Sequence, residues 1–132
     1  MRDVFVVEAV RTPLGRGKEN GALHHFHPVD LLAMTLNELV KRAGVEKGLV
    51  DDVIAGCVSP TDAQGANIAR LAVLKAGFPH HVAGVQIDRV CGSSQQAAHF
   101  AHQAIATGDV DLVIGCGIAM LSQLPMGTTG GV

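Results

Sequence analysis

Four short apolar runs rich in β-branched residues divide the chain, and they constrain its fold more than any other feature. They are VFVVEAV (4–10), DVIAGCV (52–58), VAGVQIDRV (82–90) and DLVIGCGIAM (111–120). Runs of this length and composition predict β-strands. Their near-continuous apolarity, without strict alternation, is typical of strands that helices cover on both faces.

Segments with helical character fill the three intervals between these runs. The first helix is predicted over 28–43, because Pro28 suits a helix start and Gly44 a helix end. The second is predicted over 66–76 and the third over 92–107, each followed by glycine. The order βαβαβαβ predicts an α/β layered domain with a mixed or mostly parallel sheet. Active sites of such sheets lie at the carboxyl ends of the strands.

Composition and charge exclude several classes of function. With 132 residues, 48% hydrophobic residues and a net charge of −2, the chain has the character of one globular domain. It has no basic patch, no Trp and no Tyr, so we predict no nucleic-acid partner. Glu8 interrupts the apolar opening and no cleavage site follows. A signal peptide and a membrane span are therefore not expected, and a cytoplasmic location is predicted.

The three cysteines differ in their surroundings. An odd number at wide spacing argues against a disulfide framework and predicts reduced thiols. Cys91 alone is followed at once by small residues that begin a helix, where unpaired N–H groups stabilise negative charge on a thiolate or an oxyanion. Gly92 would let a substrate carbonyl approach the backbone closely. From this pattern a catalytic Cys91 and a small buried Cys91 are about equally favoured, whereas Cys57 and Cys116 are predicted to be structural.

Five motifs, occurring in one order along the chain, carry a family resemblance. They are EAVRTPLGR (8–16), QGANIAR (64–70), AGFP (76–79), DRVCGSS (88–94) and SQLPMG (122–127). Together they resemble the amino-terminal part of a thiolase, an acetyl-CoA acyltransferase. The resemblance extends over essentially all of this chain but over only about the first third of such an enzyme.

The resemblance implies a two-step acyl transfer with Cys91 as the acyl-thioester nucleophile. Cys91 would attack the keto carbonyl of a 3-ketoacyl-CoA, acetyl-CoA would leave, and CoA would then accept the acyl group; the reverse is a Claisen condensation. The backbone amide of Cys91 would be one oxyanion donor. Coenzyme A is implied as a substrate, with no covalently bound cofactor, and the full enzyme is expected to be a homo-oligomer, a dimer or tetramer.

The same resemblance predicts that parts of the site lie outside this sequence. Residues 1–121 would form an incomplete amino-terminal domain, and 122–132 the start of a mobile loop region. The histidine that activates the cysteine, a second cysteine and an asparagine belong to later segments of thiolases, so the chain alone is expected to be inactive. The chain departs from the family pattern in two places: Ser94-Gln95 replaces Gly-Leu, and Ala119 replaces an acidic residue.

Two other functions fit parts of the pattern. A ketoacyl synthase shares the architecture and a cysteine at this turn, but EAVRTPLGR argues against it. A non-catalytic thiolase-like scaffold or interaction subunit stays open. A metal site is not predicted, because His99 and His102 have no third ligand at short spacing. The glycine-rich stretches 115–117 and 127–131 lack the spacing and the lysine of a phosphate loop.

Overall fold

The structure, a computed structural model, describes residues 1–129. Three α-helices alternate with three β-strands along this part of the chain, with two short 3-10 turns at Lys47–Leu49 and Asp62–Gln64. The order is α1 (Pro28–Ala43), β1 (Asp52–Gly56), α2 (Ile68–Lys75), β2 (Ala83–Ile87), α3 (Ser93–Thr107) and β3 (Val113–Gly117).

The strands form one parallel sheet in the order β2-β1-β3, with β1 at the centre. Ile54 lies opposite Val85 on one side and Gly115 on the other. The α/β prediction is confirmed, and within these residues the sheet is wholly parallel. Because parallel strands share one direction, the carboxyl ends of all three meet at the same edge.

Helices cover the two faces of β1 separately. Val53 and Ala55 point into the larger core, which α1 and α2 complete. Ile54 points to the other face and packs against Ala97 and Ala101 of α3. The prediction of a strand covered on both faces is thus confirmed for β1, whereas β2 and β3 remain partly exposed.

Local signals set the bounds of α1 where they were predicted. The ring Nδ1 of His27 accepts a hydrogen bond from the Val29 amide at 3.2 Å, with Pro28 in the first turn. Gly44 ends the helix in the left-handed conformation, at φ 66°. That conformation costs glycine little, because it has no Cβ.

The predicted strand over residues 4–10 is wrong for this structure. No regular element occupies the segment, and residues 3–15 make no backbone–backbone hydrogen bond within residues 1–129. A cavity of about 710 Å³ separates the segment from β3, whose outer edge has no neighbouring strand in this part of the chain. A strand needs a ladder partner for its backbone groups, and here none is within reach.

The last described residues pack partly against the domain. Gln123 donates hydrogen bonds to the carbonyls of His24 and Phe26, at 2.5 and 2.7 Å, and Leu124 is buried. Residues 130–132, which belong to the predicted mobile loop, lie outside the described residues. The boundary between 121 and 122 stays a prediction. Within 1–129, every helix is too short or too polar to cross a bilayer.

Candidate active site

Cys91 lies in the turn that joins β2 to α3, two residues before the helix begins. Its side chain is exposed, in contrast to the buried position that the structural interpretation of this cysteine predicts. It also lines a cavity of about 480 Å³ at the carboxyl edge of the sheet. The structure therefore places the predicted nucleophile in an opening at the edge where α/β proteins carry their sites.

Four parts of the chain build the wall of this cavity. Residues 12–17 cover one side, and the Cys91 turn together with the start of α3 forms another. The end of β1, and the end of β3 with the segment that follows it as far as Ser122, form the other two parts, and Leu23 and Leu31 also line the cavity. The motif EAVRTPLGR thus contributes to the same cavity as DRVCGSS, although about 75 residues separate them along the chain.

The start of α3 rests directly on the backbone of β1 and β3. A Cβ at Gly56 would lie 2.4 Å from the Ser93 carbonyl carbon and from the Ser94 nitrogen. A Cβ at Gly117 would lie within 3.0 Å of the Ser94 side chain. These two glycines, opposite each other in the sheet, allow the first turn of the helix to approach closely. That approach holds the turn with Cys91 above the strand ends.

The turn before the helix has an unusual backbone. Val90 adopts a positive φ of 49°, although its side chain is β-branched. Such a conformation costs on the order of 1–3 kcal/mol and needs support from its surroundings. Asp88 accepts a hydrogen bond from the Val90 amide at 2.8 Å, and Ser93 Oγ donates to the Val90 carbonyl at 2.6 Å.

Several polar residues near Cys91 point away from the cavity. The guanidinium of Arg89 donates to the side-chain oxygen of Gln96, so its charge lies along α3, not at the cavity. Gln95 and His99 do not line the cavity either. Of the residues that depart from the family pattern, Ser94 and Ala119 contribute to its wall and Gln95 does not.

Gln64 is a site-building residue that the sequence reasoning missed. Its side chain is 1% exposed, donates to the Ser59 carbonyl at 2.8 Å and accepts from the Met120 amide at 2.7 Å. It thereby links the segment after β1 to the segment after β3, and the latter forms part of the cavity wall. Gln64 is the first residue of the motif QGANIAR, but a single glutamine in a sequence does not indicate that its side chain is buried.

The two other cysteines are less exposed than Cys91, and Cys116 is half-buried. Cys57 is buried, and burial raises the pKa of its thiol, with a smaller raising contribution from Asp88. Burial raises the pKa of the Cys116 thiol to about 12. Both thiols are therefore neutral at physiological pH, and the thiolate is the reactive form. All three cysteines are free.

The histidines do not assemble into a metal site in the described part of the chain. His99 and His102 lie exposed on α3. Among residues 1–129, no group of three or more His, Cys, Asp or Glu side chains is close enough to hold an ion. The histidine pair therefore adds no ligand set to the cavity.

Comparison with known proteins places the sequence among the thiolases. Residues 4–131 match the family described as thiolase, N-terminal domain. The chain is 48% identical over 126 residues to a steroid 3-ketoacyl-CoA thiolase of Mycobacterium tuberculosis, covering 96% of this chain and 30% of that protein. It is 43% identical over 127 residues to a 3-ketoacyl-CoA thiolase of Idiomarina loihiensis, covering 96% and 33%.

A third relative carries a different substrate in its name. The chain is 41% identical over 126 residues to the 3-oxoadipyl-CoA/3-oxo-5,6-dehydrosuberyl-CoA thiolase of Escherichia coli, covering 95% of this chain and 31% of that protein. The chain thus spans about a third of the length of these relatives. Since the family match extends over nearly all of its residues, this chain belongs to the thiolase family and corresponds to the N-terminal domain.

Proposed function

We propose that Cys91 is the acyl-accepting nucleophile of a thiolase reaction, in which an acyl group passes between a 3-ketoacyl-CoA and CoA. One observation carries the proposal: the Cys91 side chain is exposed in a cavity at the start of α3 and at the carboxyl edge of the sheet. A covalent mechanism requires a nucleophile that substrate can reach. Cys91 meets this requirement, and the raised pKa values of Cys57 and Cys116 make them unsuitable.

The reaction proceeds through two acyl transfers at sulfur. The Cys91 thiolate attacks C3 of the substrate, and the C2–C3 bond breaks with its electron pair remaining on C2. Protonation of C2 completes acetyl-CoA, which leaves. The thiolate of CoA then attacks the thioester at Cys91, the S–C bond to the enzyme breaks, and the Cys91 thiolate is regenerated. The backbone amide of Cys91 stabilises the oxyanion in both steps, because the amides of Gly92 and Ser93 already donate to the carbonyls of Arg89 and Val90.

The proton transfers need a group that this cavity lacks. Apart from Cys91 itself, Arg16 is the one ionisable residue among the described residues that line it. A guanidinium group is a poor proton acceptor. This composition supports the expectation, drawn from the family resemblance, that the activating histidine and the second cysteine come from later segments. The chain alone would then give negligible turnover.

The names of the relatives support a class of substrate but no particular acyl group. One is named for steroid substrates, one for 3-ketoacyl-CoA in general and one for dicarboxylic acyl-CoA. A CoA thioester with a 3-oxo group is common to these names, and we take it as the substrate class here. The homo-oligomeric state and the cytoplasmic location stay predictions.

Selective alkylation of the native chain tests the nucleophile. Limiting iodoacetamide at pH 7.5 is followed by peptide mass spectrometry, and the same labelling in urea gives the reactivity of each thiol in the unfolded chain. We expect Cys91 to be modified in the native chain faster than in urea. Cys57 should be at least about a hundredfold slower than in urea, because it is protonated and buried when folded, and the half-buried Cys116 should also be slower than in urea.

The unfolded reference separates an activated thiol from one that is merely exposed. Exposure alone raises the native rate no higher than the rate in urea. A native Cys91 that reacts more slowly than the unfolded one would contradict the proposal and favour a non-catalytic, scaffold-like domain. Cys91→Ser is the control, because it should abolish the fast native labelling and leave that of Cys57 and Cys116 unchanged.

A further inference from the structure

The backbone at Val90, next to the nucleophile, cannot be explained by its own side chain. Val90 has a φ of 49°, and its side chain is 66% exposed, so core packing does not hold it there. A β-branched residue disfavours this region of φ. Contacts from elsewhere in the turn must therefore stabilise the conformation.

The Ser93 hydroxyl supplies two of these contacts from inside the turn, beside the hydrogen bond from the Val90 amide to the Asp88 carboxylate. Ser93 is 4% exposed, and its Oγ accepts a hydrogen bond from the Arg89 amide at 2.8 Å. The same Oγ donates to the Val90 carbonyl at 2.6 Å, while the Ser93 amide donates to that carbonyl at 3.1 Å. The Ser93 side chain thus contacts the backbone of both Arg89 and Val90, the two residues that precede Cys91.

We infer that Ser93 is a positioning residue, whose hydroxyl holds Val90 in the left-handed conformation and so directs Cys91 into the cavity. Ser93 also sits against the backbone at Gly56, which fixes its own place on the sheet. The contact at Gly56 therefore fixes the position of the turn relative to β1. The inference deepens the proposed function and rests on it for the chemistry at Cys91, but the backbone geometry can be tested without it.

Four variants separate the role of the hydroxyl from general stability: Ser93→Ala, Val90→Gly, the double variant, and Thr107→Ala as a control. Glycine adopts a positive φ without the penalty of valine, so Val90→Gly removes the need for the hydroxyl. Thr107 is at the far end of α3, where its hydroxyl bonds to the Gln103 carbonyl. Two quantities are measured: the sign of φ at residue 90, from NMR couplings and chemical shifts, and the native rate of Cys91 alkylation.

Ser93→Ala should lose the positive φ at residue 90 and lower the Cys91 rate about tenfold, the factor expected for a lost hydrogen bond that holds an orientation. The double variant should restore the positive φ and return the rate to within about threefold of the unmodified chain. Thr107→Ala should change neither quantity.

Two results would overturn the inference. One is a positive φ and an unchanged rate in folded Ser93→Ala. The other is a double variant that is no better than Ser93→Ala, since that result assigns the loss to general destabilisation. Failure of the proposed function has a different signature: Cys91 in the unmodified chain would react no faster natively than in urea, while φ at residue 90 would still depend on Ser93.

Discussion

Two apolar, β-branched segments of this chain have very different environments. In β1, each residue from Val53 to Gly56 is buried, and the strand pairs with a neighbour on each side. In residues 4–10 no ladder forms, and Phe5 and Val6 are 78% and 89% exposed. Since both segments have the composition of strands, propensity does not separate them. The presence of a partner strand and of covering helices does.

The same difference separates the two sides of the sheet. Around Cys91, the start of α3 contacts β1 and β3 so closely that only glycine fits beneath it. Between β3 and residues 3–12 there is instead a cavity of about 710 Å³ with a largely aliphatic wall. Close packing preserves geometry and voids do not, so the candidate site lies on the part of the molecule that packing defines best.

Hydrogen exchange gives the largest expected contrast between the two segments. Amides of Val53–Gly56 should exchange at least roughly a thousandfold more slowly than those of residues 4–10, because β1 opens only with the whole domain and the amino-terminal segment has no ladder to open. Exchange with mass-spectrometric detection of overlapping peptides measures both. Comparable protection in the two segments would mean that residues 4–10 pair with a strand in solution.

A matched pair of glycine substitutions tests how closely α3 rests on the sheet. Gly56→Ala should destabilise the domain by about 3 kcal/mol, because its Cβ would lie 2.4 Å from backbone atoms of Ser93 and Ser94. Gly92→Ala should cost no more than about 1 kcal/mol, because its Cβ would meet only the Arg89 carbonyl, at 3.4 Å. Urea unfolding followed by circular dichroism compares them. Equal losses in the free energy of unfolding would contradict the close contact between the start of α3 and the backbone of β1.

A second matched pair compares the two apolar segments directly. Val53→Ala should cost about 2 kcal/mol, since Val53 is fully buried in the main core. Val6→Ala should change the free energy of unfolding by less than about 0.5 kcal/mol, since its side chain is exposed. The same urea titration serves for both. A substantial loss in the Val6 variant would show that the segment packs more tightly than described.

Much of the fold followed from the sequence, because its signals were local. The bounds of α1 are set by Pro28 and Gly44, within the helix or next to it, and they were predicted correctly. The α/β class followed from the order of the elements. The prediction of a strand over 4–10 was wrong, because a strand forms only beside a partner strand. The sequence of the segment does not show whether such a partner is present.

The candidate site was predictable only in part. Cys91 stood out because its surroundings are adjacent in sequence, and its exposure agrees with that interpretation. The role of Gln64 was not predictable, since it depends on a buried hydrogen bond between segments far apart along the chain, and that of Ser93 depends on the backbone conformation of the turn. The close contact at Gly56 likewise joins residues that lie far apart along the chain.

The smallest expected effect concerns the place where β3 begins, next to the amino terminus. The Asp51 carboxylate accepts hydrogen bonds from the amides of Leu112 and Asp111, at 3.0 and 2.8 Å. These bonds lower the pKa of Asp51 below its ordinary value of 3.8. A lowered folded pKa stabilises the domain above the unfolded pKa, and this stabilisation is lost as the pH falls through the folded value.

Asp51→Ala should therefore lower the free energy of unfolding by roughly 1 kcal/mol at pH 7, a modest loss because the carboxylate is exposed. The difference from the unmodified chain should shrink as the pH is lowered below about 4, where the carboxylate of the unmodified chain takes up a proton. Arg2→Ala is the control: it removes an exposed ion pair to Asp111 and should cost less than about 0.5 kcal/mol. Urea titrations at pH 7 and pH 3 measure both variants. If Asp51→Ala lowered the free energy of unfolding equally at both pH values, the charge of the carboxylate would not stabilise the start of β3. Packing alone would then hold that strand in the sheet.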